Sequence, residues 1–100
     1  MWQKLIDKDL VEWSQSPEQF AEEGLNAPTP MAISSARSFA QHCRNQETDP
    51  PLRMSADGSG GIVFEWRVAP VFCMVEIGAE GQIELLVFEN CKLVGRLPIG

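Results

Sequence analysis

Trp2, Leu5, Ile6, Leu10 and Trp13 recur at helical spacing, with polar residues at most positions between them. A period of 3.6 brings such positions onto one stripe, so an amphipathic helix is expected over about residues 2–13. "SPEQFAEEG" then carries the marks of a second helix start. Ser16 can cap, Pro17 suits the first helical position, and Gln19 can reach back as in a capping box. Glu18 sits near the positive end of the helix dipole, and Gly24 is a natural stop. Thr29-Pro30 repeats the cap-then-proline order and opens a third helix. Along it Ile33, Ala36, Phe39, Ala40 and Cys43 share one face, while Arg37, Gln41 and Arg44 point elsewhere. This is the helix expected to pack on a sheet.

The period changes after "ETDPPL", residues 47–52, where Pro50 and Pro51 exclude a continuous helix. "LRMSA" is a short strand candidate, and "IVFEWRV", "FCMVEI", "IELLVF" and "LVGRL" follow as four more, bounded by Gly, Asn and Pro. "GAEGQ" suits a hairpin with Gly81 in the left-handed conformation. If Gly78 faces Gln82, the pairs Ile77/Ile83, Val75/Leu85 and Cys73/Val87 share one wholly apolar face. Glu76/Glu84, Met74/Leu86 and Phe72/Phe88 then share the other. Two carboxylates directly opposed are unfavourable, so Arg67 or Arg96 is expected beside them. The expected fold class is α+β: N-terminal helices followed by a four- to five-stranded antiparallel meander sheet, in two layers. One hundred residues make a single domain, 1–100, with a helical segment 1–46 and a sheet segment 51–98.

Composition narrows the class. With 44% apolar and 22% charged residues the chain reads as an ordinary globular protein. No apolar run approaches the roughly 20 residues that span a bilayer. Charges at Lys4, Asp7, Lys8, Asp9 and Glu12 break up any secretory-type apolar segment, so a cytoplasmic location is expected. The net charge is -6, divided as -4 over residues 1–50 and -2 over residues 51–100. Neither half offers a basic face, which disfavours nucleic acid and anionic membrane as partners and leaves a protein partner or a homodimer.

Candidate chemistry is thin. "DGSGG", residues 57–61, leads into a strand and lacks the G-K-[ST] ending and following helix of a phosphate loop. Its glycines more simply supply positive φ in a hairpin loop. Cys43, Cys73 and Cys91 are odd in number, widely spaced and without a C-x-x-C pair, so neither a disulfide framework nor a zinc knuckle is expected. His42 is the sole histidine. Its neighbour Cys43 cannot face it on a helix, although Cys73 or Cys91 could meet it in space to make a thiol enzyme. Glu65, Glu76, Glu84 and Glu89 alternate with apolar neighbours, the pattern of a solvated sheet face. Trp66, alternating with Glu65 and Arg67, reads as a core residue, with Glu65 turned to solvent. No metal, cofactor or catalytic residue is expected.

"VAPVFCMV", Val68 to Val75, resists this plain reading because it is uncharged throughout. Phe72, Met74, Leu86 and Phe88, with Leu93 and the nearby Pro70, would make the second sheet face partly apolar. Either the N-terminal helix carrying Trp2 and Trp13 covers that face, or it is a surface for self-association or a partner. Intramolecular cover is the favoured alternative, since so small a domain has few other places for the Trp side chains.

The pattern "DGSGGIVFEW…VEIGAEGQIELLVF", followed by "NCKL", resembles a family of small bacterial α+β proteins to which no function is assigned. That family shows a D-G-G-I-x-x-E-W segment after a proline-initiated helix, then a V-E-I strand, a D-G turn and a final strand. Thr29-Pro30 and its helix match, so the resemblance covers roughly residues 29–97. It implies turns and a core, and carries over no functional residue. Cys91 stands where a turn glycine is usual there, and the hairpin at Pro70 is more apolar. With no nucleophile, metal or nucleotide constellation in the sequence, the functional expectation is a non-enzymatic, accessory or antitoxin-like protein that binds another protein. The interaction surface expected is Pro70, Phe72, Met74, Leu86 and Phe88. The alternative is a small-ligand carrier with a pocket between sheet and helix, lined by Trp66 and Met74.

Overall fold

Thr29 is extended at φ -71° and ψ 159°, and its hydroxyl accepts the Ala32 N–H at 3.1 Å. With Pro30 at the first helical position, this cap starts the helix where the sequence places it. A computed structural model describes residues 2–15, 20, 24–68, 70–90 and 92–99 of the chain. Its first helical run comprises α1 (Trp2–Lys4), a π-helical stretch (Leu5–Asp9) and α2 (Leu10–Gln15), and α3 (Pro30–Asn45) follows. The second expected start, at Ser16-Pro17, lies outside the described residues. Gly24 does take the left-handed conformation, at φ +75°, and the Leu25 N–H reaches the Phe20 carbonyl at 2.8 Å.

Five strands follow in sequence order: β1 (Arg53–Ala56), β2 (Ile62–Val68), β3 (Val71–Ile77), β4 (Ile83–Glu89) and β5 (Lys92–Ile99). All neighbours are antiparallel, giving the meander β1-β2-β3-β4-β5. The expected hairpin register holds throughout, from Ile77 opposite Ile83 to Phe72 opposite Phe88. At its turn Gly81 has φ +89°, and Gly78 donates to Gln82 at 2.8 Å.

One sheet face carries Ile62, Phe64, Val75 and Ile77, all buried, and forms the core with Ala32 and Ala36 of α3 and Leu10 of α2. The small alanines let α3 lie close to the sheet. Trp2, Leu5 and Ile6 bury beside it against Ala40 and Cys43. The Trp2 ring centroid lies 6.4 Å from that of Phe64 and 6.2 Å from that of Trp66, and its Nε1 donates to the Thr48 carbonyl at 2.7 Å. Trp66 is half-buried in this aromatic group, with Nε1 donating to the Asp49 carbonyl at 2.9 Å.

This placement overturns the expectation that the N-terminal helix covers the second sheet face. Both helical units lie on the Phe64 face. The physical reason is width: five strands span about 24 Å, while one helix covers about 10 Å, so one layer has room for two helices side by side.

The "DGSGG" loop is a turn, as expected, with Gly58 at φ +83° and Gly60 at φ +93°. It also holds the start of α3. The Thr29 N–H donates to the Gly60 carbonyl at 3.0 Å, and the Asn26 N–H to the Gly58 carbonyl at 3.1 Å. The Thr29 hydroxyl donates in turn to the Ala79 carbonyl of the neighbouring hairpin turn. The loop therefore ties the α3 cap to two β-turns, which leaves the carbonyls of Gly58 and Gly60 already engaged.

A candidate interaction face

Pleating puts alternate residues of each strand on opposite faces, so the observed register defines the second face position by position. Its first row crosses the sheet as Val63, Glu76, Glu84 and Pro98. The middle row is Glu65, Met74, Leu86 and Arg96, with Arg53 next to Glu65 on β1. The third is Arg67, Phe72, Phe88 and Leu93. The five apolar residues of the last two rows, Phe72, Met74, Leu86, Phe88 and Leu93, adjoin as one patch.

Of the surface residues expected from sequence, the structure brings Phe72, Met74, Leu86 and Phe88 together. Phe72 and Phe88 lie with ring centroids 6.0 Å apart, and the Arg67 guanidinium carbon stands 5.6 Å over the Phe72 ring. Leu86 is only 4% exposed although neither described helical unit covers this face. Its partners across the sheet are Met74 and Arg96. Pro70 is apart from the patch: it is exposed in the β2–β3 turn, where its carbonyl accepts the Asn90 N–H at 3.4 Å.

Leu93 belongs to the patch because of a β-bulge. The register shifts between Val87 and Phe88, so Leu93 rather than Val94 lies opposite Phe88. One extra residue reverses the alternation and moves Leu93 onto this face, where it is 50% exposed. Strict period-two reading places it on the other side.

The charges around the patch are paired or spread. Glu84 and Glu76 are directly opposed, and Arg96 Nε donates to Glu84 Oε1 at 2.6 Å. Arg96 thus answers the like-charge clash, while Arg67 takes the aromatic partner instead. Glu65 is half-buried, not fully turned to solvent as its alternation suggested.

The free edge of β5 is blunted. Gly78 and Gln82 form a hydrogen-bonded pair, so alternation turns the backbone groups of Ile83, Leu85 and Val87 toward β5. Their partners there are Ile99, Leu97 and Gly95, which leaves the outward positions to Arg96 and Pro98. Pro98 has no N–H to offer an incoming strand, and the charge of Arg96 discourages one. The β5 edge is therefore a poor site for strand addition.

Other candidate chemistry is dispersed. Cys43 is buried on α3, and loss of solvation pushes its thiol pKa up, the opposite of activation. His42, next to it, is exposed. Cys43 is expected to resist a thiol reagent such as an aromatic disulfide in the folded protein and to react at once in denaturant. Fast labelling of Cys43 under native conditions, read by peptide mass mapping, would contradict its burial. Cys73 is half-buried beside Trp66 and Val87 on the helix-covered face, and Cys91 lies outside the described residues. Among the described residues no group of three His, Cys, Asp or Glu side chains is placed to hold a metal. Trp66 and Met74 fall on opposite faces, since Trp66 pairs with Cys73 and Met74 with Glu65, so they do not line one pocket. A cleft of about 160 Å³ instead lies at the sheet's end, between Asp57, Glu76, Gln82 and Glu84. Its acidic lining suits no apolar ligand.

No family model matches the chain, and no curated protein or solved structure matches it either. No helix among the described residues is long and apolar enough to cross a membrane.

Proposed function

We propose that the chain acts as a non-enzymatic cytoplasmic protein that binds another protein through its second sheet face. The observation that supports this reading is the contiguous patch of Phe72, Met74, Leu86, Phe88 and Leu93, on the side away from both helical units. A small domain keeps such a patch on its surface at a cost in solubility, and the usual return is association. Arg67 over Phe72 adds a feature common at protein interfaces, an arginine stacked on an aromatic ring.

The test is capture from host lysate with wild type and with a Phe72→Asp/Leu93→Asp variant, both shown by circular dichroism to be folded. The variant is expected to lose at least tenfold of a specific partner's yield. Equal recovery with both proteins would remove this face from the reading.

A further inference from the structure

Charge identifies the kind of partner. The chain has fourteen acidic and eight basic residues, of which three each, Glu65, Glu76, Glu84 and Arg53, Arg67, Arg96, occupy the second face. The remaining eleven acids and five bases carry the whole net charge of -6. A basic partner would be drawn to the acidic remainder of the chain, and an acidic partner repelled by it. A neutral face bearing both signs beside an apolar patch suits an equally acidic molecule, because there two copies approach with the least repulsion.

We therefore propose that the occupant of this face is a second copy of the chain, packed sheet against sheet about a two-fold axis. This inference rests on the reading of the face as a binding surface and names its partner. The axis runs across the strands, between the row of Glu65, Met74 and Leu86 and the row of Arg67, Phe72 and Phe88. Glu65 of each copy then faces Arg67 of the other, Met74 faces Phe72, and Leu86 faces Phe88. An axis along the strands between β3 and β4 would instead set Glu76 against Glu84 of the other copy, which like-charge repulsion opposes. With the axis across the strands, Glu76 and Glu84 stay at the rim in water. Strands of the two sheets then run close to parallel lines, as in aligned sheet packing, with the layers about 10 Å apart. The two paired rows, five strands by four residues, give about 24 by 13 Å, so the two copies together cover about 600 Å², the size of a weak, reversible dimer. The blunted β5 edge agrees, since it disfavours strand addition on that side.

The test is sedimentation equilibrium of the purified full chain up to about 100 µM, a range that detects dissociation constants of micromolar order. Wild type is expected to show twice the chain mass. Glu65→Lys alone and Arg67→Glu alone are each expected to shift it to the monomer, by at least a tenfold rise in dissociation constant. An equimolar mixture of the two is expected to regain dimer mass. In the mixed dimer the introduced lysine of one variant meets the introduced glutamate of the other across the axis, and the native Arg67 of the first meets the native Glu65 of the second. Leu93→Lys, at a half-exposed position that does not threaten folding, sets a positive charge against Arg96 of the other copy and is expected to give a monomer with an unchanged circular dichroism spectrum. A monomeric wild type overturns the second copy as occupant, while lysate capture decides separately whether the face binds anything. A wild-type dimer that no variant weakens overturns both the inference and the face. Variants that fall apart singly and do not recover on mixing overturn the Glu65–Arg67 pairing and the axis with it.

Discussion

Truncating Phe64 to Ala should remove about 3–5 kcal/mol of folding stability, the range for a large aromatic in a filled core. Phe64 is 0% exposed, and its ring lies 5.5 Å from Phe39, 6.2 Å from Trp66 and 6.4 Å from Trp2, centroid to centroid. It is thus the side chain on which α3, the N-terminal helical run and the sheet converge. A domain of this size has only about 5–15 kcal/mol of net stability. The loss should lower the melting temperature by about 12 °C or more, at about 4–8 °C per kcal/mol. Far-ultraviolet circular dichroism during heating and in urea measures it. Phe88→Ala is the matched comparison, the same deletion from a half-buried ring on the other face. It should cost about 1 kcal/mol, because much of that ring remains in water in the folded chain. Equal losses at the two positions would contradict a two-layer protein with one core face.

The contrast between these phenylalanines also marks what the sequence could reveal. The hairpin register was legible, because "GAEGQ" sets the turn and alternation then decides every facing pair from Ile77/Ile83 to Phe72/Phe88. Even the arginine that answers Glu76 and Glu84 was among the two expected, since only a neighbouring strand could supply it. Which face the helices cover was not legible. Phe64, Val75 and Leu85 on one side and Phe72, Met74 and Leu86 on the other are equally apolar as residue types. The choice is made by contacts between distant segments, such as the Trp2 indole reaching the Thr48 carbonyl and resting on Phe64 and Trp66. The π-helical stretch Leu5–Asp9 escapes notice for a related reason. Leucine, isoleucine, aspartate and lysine there suit an α-helix as well, and the wider turn is visible only in the Leu10 N–H reaching back to the Leu5 carbonyl. In the candidate face, four of the five expected residues adjoin because alternation is a local rule. Leu93, expected beside them, reaches this face through a bulge that strict alternation does not announce.

The glycine-dense loop supplies the second large effect, at Gly61. A methyl group there would meet the Asp57 carboxylate and stand 2.5 Å from the Ile77 carbonyl oxygen, closer than real Cβ atoms come. Neither neighbour can yield cheaply. Asp57 Oδ1 holds the loop closed by accepting the Ser59 N–H at 2.7 Å and the Gly61 N–H at 2.9 Å. Ile77 pairs with Ile62 at the first rung of the β2–β3 ladder, and its carbonyl is fixed there by the strand. Gly61→Ala should therefore cost about 3 kcal/mol, at the upper end for added volume in a packed site. Gly24→Ala separates this from backbone strain alone: its φ of +75° is unfavourable for alanine, yet nothing lies within 4 Å of the new methyl. It should cost about 1–2 kcal/mol. Gly60→Ala combines φ +93° with a methyl 3.2 Å from both Thr29 Cγ2 and Ala79 Cβ, and should fall between the two. Urea midpoints for the three variants test the order. Adding Asp57→Ala to Gly61→Ala should not restore stability, because the Ile77 carbonyl still blocks the methyl. If Gly61→Ala were as mild as Gly24→Ala, the loop would be only a flexible turn. The predicted order instead makes it the fixed seat of Thr29 and α3, with glycine at position 61 because no side chain fits between Asp57 and Ile77.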